Sequence, residues 1–175
     1  MKEIDTLLLK LVNGVELFRE MDVDSVSALL RQASSMSFVP GDLVFEEGAE
    51  GHAMYIVTQG AFEVFRTSGG KHVRIAKVEP GQHFGEIALV ANRTRSASVR
   101  ALEPSVAIRL SKAAVMSEQK AAVLLFRNMA QMLAKCLITL DEEVILHKRA
   151  AIEAAEAAPA PEPERARTYT VVRRA

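Results

Sequence analysis

Residues Phe84 to Arg100 read FGEIALVANRTRSASVR, a short stretch that holds one carboxylate, three guanidiniums and two serine hydroxyls around an apolar run. Gly85 permits backbone geometry that a residue with a side chain resists. Glu86, ionised, is a pure acceptor; it suits a sugar hydroxyl and would repel a phosphate. Ile87-Ala88-Leu89-Val90 is long enough for one helical turn, and the first N–H groups of such a turn have no internal partner and favour an anion. Arg95 follows Glu86 by nine residues, so the loop can fold back and bring it to the mouth of that turn. A ligand offering hydroxyls at one end and a phosphate at the other would satisfy both charges. The same spacing admits another arrangement, in which Glu86 and Arg95 pair with each other in a tight loop; an exposed pair of that kind contributes only about 0–1 kcal/mol. Arg93 and Arg100 read as solvated or rim residues.

Other chemistry finds no constellation. The histidines at 52, 72, 83 and 147 lie far apart, and none has metal-ligand spacing with Cys136, the single cysteine. Cys136 falls on an apolar helical stripe and reads as buried packing rather than a nucleophile. Neither a nucleophile-elbow pattern nor GxxxxGK[ST] is present. No enzyme, cofactor or metal is expected.

The elements that must position this stretch are legible from texture. Residues 1 to about 38 read as helical, with Leu7, Leu8, Leu11, Val12 and Val15 on one stripe. Asp22 or Asp24 is a plausible N-cap for a second helix carrying Val26, Leu29 and Leu30. From Pro40-Gly41 to about Leu110, short apolar runs alternate with turn residues, the pattern of a sandwich, roll or barrel. Ser68-Gly69-Gly70-Lys71 between Phe62/Val64 and Val73/Ile75 is a hairpin signal. Residues 111–157 turn helical again, with an apolar face through Val115, Leu125, Met129 and Leu137. Thr139-Leu-Asp-Glu142 has the form of a capping box; it either starts a fresh helix after a hinge, the preferred reading, or lies within one long helix. Residues 158–175, rich in Ala and Pro, read as a disordered tail. The segments are thus 1–38 helical, 39–110 strands with the motif at 84–98, 111–157 helices, and 158–175 tail.

The chain has 175 residues, with 22 basic and 22 acidic side chains. That allows one domain with appendages. Zero net charge argues against a global pull toward nucleic acid or anionic lipid. No apolar run approaches the roughly 20 residues of a membrane span. One cysteine excludes an internal disulfide, which fits a reducing cytoplasm.

FGEIAL, five further residues and then RSASVRA resembles the phosphate-binding cassette of the cyclic-nucleotide-binding domains. VELFREMDVDSVSALLRQASSMSFVPGDLVFEEGAEGHAMYIVTQGAFEVF resembles that family's helical lead-in and first strands, and the resemblance runs from about residue 16 to 150. It implies a mainly β fold with flanking helices: an eight-stranded, jelly-roll-like β-roll between N-terminal and C-terminal helices. It implies that Arg95 pairs with a cyclic phosphate and that Glu86 accepts from the ribose 2′-hydroxyl. Backbone N–H groups at Ala88 and Ala97, with Ile87 and Ser96, would complete the cradle, and Gly85 would let its backbone approach the ribose. Thr94 stands where a proline often precedes the arginine, and His52 where an acidic residue is frequent.

The ligand so implied is cAMP or cGMP. The base would sit under a lid from the C-terminal helix, with Leu137, Leu140, Val144 and Ile145 as candidates; core packing is the other role open to them. The residues after Arg149 are too few for a DNA-reading helix-turn-helix, so no DNA partner is expected within this sequence. A stand-alone sensor with an unknown protein effector follows, with a homodimer through the C-terminal helices as one output. The rivals are a roll that serves as a scaffold without nucleotide, and a regulatory subunit of a separately encoded enzyme.

Overall fold

The computed structural model describes residues 11–91 and 93–156; Leu7, Leu8 and the expected tail at 158–175 lie outside them. The chain divides into two units, Met1–Leu133 and Ala134–Ala175.

In the first unit, residues 11–14 are helical and a 3₁₀ turn follows at Glu16–Phe18. Helix α1 spans Val23–Arg31. Its N-cap is Asp22, whose carboxylate accepts from the Ser25 backbone N–H at 2.7 Å, satisfying one of the donors a helix start leaves unpaired. Eight strands follow: β1 Ser34–Phe38, β2 Leu43–Phe45, β3 Ala53–Gln59, β4 Phe62–Ser68, β5 Lys71–Val78, β6 His83–Phe84, β7 Ser98–Ala101 and β8 Ser105–Ser111. A short helix α2, Glu86–Ala91, interrupts them, and α3, Lys112–Ser117, and α4, Gln119–Glu156, close the described chain. The strands make two antiparallel four-stranded sheets, ordered β1-β8-β3-β6 and β2-β7-β4-β5. The fold is the expected mainly β roll with flanking helices.

Alternation explains the two cores. On β3, Met54 and Ile56 point to the helices and join Leu17, Phe18, Leu29 and Leu125. Tyr55 and Val57 point into the roll and join Phe62, Phe84 and Val99. Strand β3 is therefore apolar on both faces, as a strand covered on both sides must be. Ser68 pairs with Lys71 across the β4–β5 hairpin. Gly69 and Gly70 both take positive φ, 56° and 74°, which a two-residue turn of this hand requires and glycine permits.

Three expectations change. Residues 34–38 are strand rather than helix, because backbone pairing of Ser34–Phe38 with β8 outweighs a serine-rich sequence with little β pattern of its own. Thr139 is not a cap: it lies inside α4 and its hydroxyl donates to the Lys135 carbonyl at 3.2 Å, so the helix runs on without a hinge. Cys136 is exposed rather than buried, and so are Leu137, Leu140, Val144 and Ile145. The stretch Gln119–Glu153 also meets the length and composition of a membrane span, although charged residues interrupt its apolar runs. Core helices of water-soluble proteins pass the same test, and its first turns bury Ala121, Ala122, Leu125 and Met129.

Candidate ligand-binding site

The strand β6 ends at Phe84, and Gly85 turns the chain into α2 with φ +82°. The loop then returns Arg95 to the start of that helix, as its length allows. Its backbone is fixed on both sides: Arg95 N–H donates to the Ala49 carbonyl and Gly48 N–H donates to the Arg95 carbonyl, each at 2.8 Å. The side chain is 5% exposed. Nη1 donates to the Gly85 carbonyl and Nη2 to the Ala53 carbonyl, both at 2.8 Å. Nε has no hydrogen-bond partner among the described residues. The guanidinium carbon lies 3.9 Å from the centre of the Phe45 ring.

Glu86 and Arg95 do not form an ion pair; Arg95 contacts carbonyls and an aromatic ring instead. Burial pushes the Arg95 guanidinium below its ordinary pKa, Tyr55 opposes this, Arg109 adds to it, and Glu86 opposes it more weakly. A buried cation lacking a carboxylate partner is costly and favours an added anion. It lines a cleft of about 80 Å³ together with Phe45, Gly85, Glu86, Ala88 and Val99. All seven residues named from the sequence, Gly85, Glu86, Ile87, Ala88, Arg95, Ser96 and Ala97, line this one cleft. Arg93 and Thr94 are exposed.

Sequence comparison places this cleft in context. The sequence model described as "Cyclic nucleotide-binding domain" matches residues 35–120, which contain the cleft. This chain carries a domain of the cyclic nucleotide-binding family. The mouse potassium/sodium hyperpolarization-activated cyclic nucleotide-gated channel 2 is 39% identical over 92 residues, covering 53% of this chain and 10% of the channel. Glutaminase 2 of Bradyrhizobium diazoefficiens is 30% identical over 134 residues, covering 74% of this chain and 21% of the glutaminase. The catabolite activator protein of Thermus thermophilus superposes with a TM-score of 0.70 at 30% identity, covering 76% of this chain and 63% of that one. The match thus takes in well under two thirds of the curated relatives.

Within this cyclic nucleotide-binding domain, sequence reasoning missed three contributors. Phe45 sits on β2, far from the motif in sequence, and nothing in its neighbours marks it as a wall of the cleft. Gly51 packs so closely that a Cβ there would lie 2.3 Å from the Ala88 Cβ and 3.2 Å from Arg95 Nε; its place in GHAMYIVTQG was the available signal. The Ala53 carbonyl, being backbone, leaves no trace in residue identity. Arg100, read as solvated, pairs through Nε with Glu63 at 2.7 Å on the outer side of the roll, away from Val64 and Val99, which line the cleft.

Proposed function

We propose that the cleft binds a purine cyclic mononucleotide, cAMP foremost and cGMP as the alternative, and that the protein is a cytoplasmic regulator rather than an enzyme. The observation that carries this reading is Arg95: a buried guanidinium, held by carbonyls, beside a half-buried Glu86 in the same cleft. A cyclic phosphodiester supplies one negative charge for Arg95, and a ribose hydroxyl supplies a donor for Glu86. Ala88 and Ala97, with Ile87 and Ser96, line the cleft, and their backbone N–H groups would donate to the phosphate oxygens. Ligand favours whichever state binds it more tightly, and the C-terminal helices carry the change to an effector.

Titration calorimetry with cAMP and cGMP, on wild type and Arg95→Ala, tests this. Loss of a charge-assisted bond to a desolvated anion weakens binding by on the order of 10²-fold. Ligand at a hundredfold excess over Kd stabilises the fold by about 2.7 kcal/mol. Neither heat nor a melting change with either nucleotide at millimolar concentration would falsify the reading, and leave the scaffold without nucleotide in its place.

The glutaminase match favours a related role, regulation of an enzyme. A pull-down with and without nucleotide tests it, and a partner set indifferent to ligand counts against it. We also propose that the output includes a homodimer. Leu133, Leu137, Leu140 and Val144 recur at spacings of four, three and four along α4 and are exposed, the seam of a two-stranded coil. Glu143 and Lys148 flank that seam, and in a parallel pair Glu143 of one copy faces Lys148 of the other, giving charge complementarity.

A further inference from the structure

We propose that Phe45 is a positioning residue for anion recognition, holding the Arg95 guanidinium at the cleft by covering one face of it. This rests on the reading of the cleft as a nucleotide-phosphate site and assigns a role to a residue outside the motif.

The local backbone explains how Phe45 comes to face Arg95. On β2, Leu43 pairs with Arg100 and Phe45 with Val99, a register shift of one residue. A bulge of this kind re-aims the side chains beyond it. Leu43 stays exposed, while Phe45 turns inward beside Val99 and lines the cleft. There it joins an aromatic group, with its centre 5.9 Å from both Tyr55 and Phe84, and those two rings stack on each other at 5.1 Å. Phe45 is thereby backed by a fixed wall.

Three contacts then define the guanidinium. The Gly85 and Ala53 carbonyls take the two terminal nitrogens in its plane, and the Phe45 ring covers a face at 3.9 Å. An aromatic face attracts a cation most where water is excluded, and this cation is 5% exposed. The loop that follows β2 also bonds to the Arg95 backbone at Gly48 and Ala49, so one segment fixes both main chain and side chain. With Arg95 held before ligand arrives, the ordering cost of binding falls. An aliphatic residue at 45 would fill the space without the attraction.

Two measurements test this. In ligand-free protein, nitrogen-15 NMR reads the Arg95 Nε–Hε resonance, assigned by its loss in Arg95→Lys. We expect it displaced by the ring current and slow to exchange in wild type, retained in Phe45→Tyr and lost in Phe45→Leu. By calorimetry, Phe45→Leu should weaken cAMP binding roughly tenfold, and Phe45→Tyr should stay within about threefold of wild type. In an Arg95→Lys background the Phe45→Leu effect should shrink to about twofold or less, since the two act through one contact. A resonance indifferent to Phe45→Leu, or a penalty undiminished in the lysine background, overturns the assignment. A wild-type titration silent for cAMP counts against the nucleotide reading alone, and the resonance still decides whether Phe45 holds Arg95.

Discussion

At the scale of single residues, two charges are buried and solved in opposite ways. Arg95 keeps its charge with carbonyls and a ring. Glu63, 2% exposed, is ringed by two guanidiniums and an imidazole: Arg74 Nε at 2.6 Å, Arg100 Nε at 2.7 Å and His72 Nε2 at 3.1 Å. Burial pulls the Glu63 carboxyl up, but hydrogen bonds from Arg74, His72 and Arg100 outweigh it and hold the pKa at about 2, against 4.5 in the unfolded chain. A carboxylate depressed on folding adds stability above its unfolded value and loses it as pH falls through the folded one. Wild type should therefore lose stability between pH 4.5 and about 2. In Glu63→Gln that part of the pH dependence should disappear, and at neutral pH the variant should be less stable by about 1–3 kcal/mol. Acid titration of the melting temperature measures both, and identical pH profiles would refute the ion cluster. The sequence marked Arg95 and Glu86 through their motif, but Glu63 looked like any polar residue on an alternating strand. Its partners come from β5 and β7, and only the sheet brings them together.

Among the elements, closeness of packing decides what each position tolerates. Gly51 lies in the turn before β3, and a methyl group there would collide with Ala88 of α2 and crowd Arg95. Both contacts are with buried groups, so α2 or the turn must move. Gly51→Ala should lower the melting temperature and weaken nucleotide binding together, whereas a surface glycine such as Gly48, with nothing within 4 Å of its absent Cβ, should leave the cleft intact when changed to Asn, which tolerates positive φ. Asp22 has two duties. It caps α1, and its other oxygen accepts from Lys120 Nζ at 2.8 Å; these bonds, that from Lys120 first, hold its pKa at about 2. Asp22→Asn keeps the cap and should melt close to wild type, since an exposed pair contributes little, while Asp22→Ala should lose several degrees by thermal denaturation. The cap was legible as Asp22 or Asp24, since Asp before an apolar helical stripe suits that use, and the fold selects Asp22. The continuity of α4 was not, since a capping-box pattern inside a helix has the same letters as one at its start.

For the molecule as a whole, the roll supplies the cleft, and α4 exposes the apolar seam on which we propose that a second copy docks. The exposed seam through Leu137, Leu140 and Val144 should make the protein a dimer by sedimentation equilibrium. Leu140→Glu should shift it to monomer while leaving the melting of the roll nearly unchanged, because Leu140 is exposed on α4. A wild-type protein that sediments as a monomer at all accessible concentrations would refute the dimer.

By itself the sequence determined the strand texture between Pro40 and Leu110, the hairpin at Gly69-Gly70, a cap at Asp22 or Asp24 and, through a motif it shares with a family, the seven residues that line the cleft. Those features rest on local chemistry: periodicity, turn geometry, and a motif whose members are near neighbours along the chain. Only the tertiary structure decided that Arg95 meets Phe45 and the Ala53 carbonyl rather than Glu86, that Glu63 is buried among two arginines and a histidine, and that serine-rich residues 34–38 are a strand. Each of these depends on contacts between segments far apart in sequence, where the partner is chosen by sheet register and burial, and the identity of a residue alone carries no record of what will lie against it.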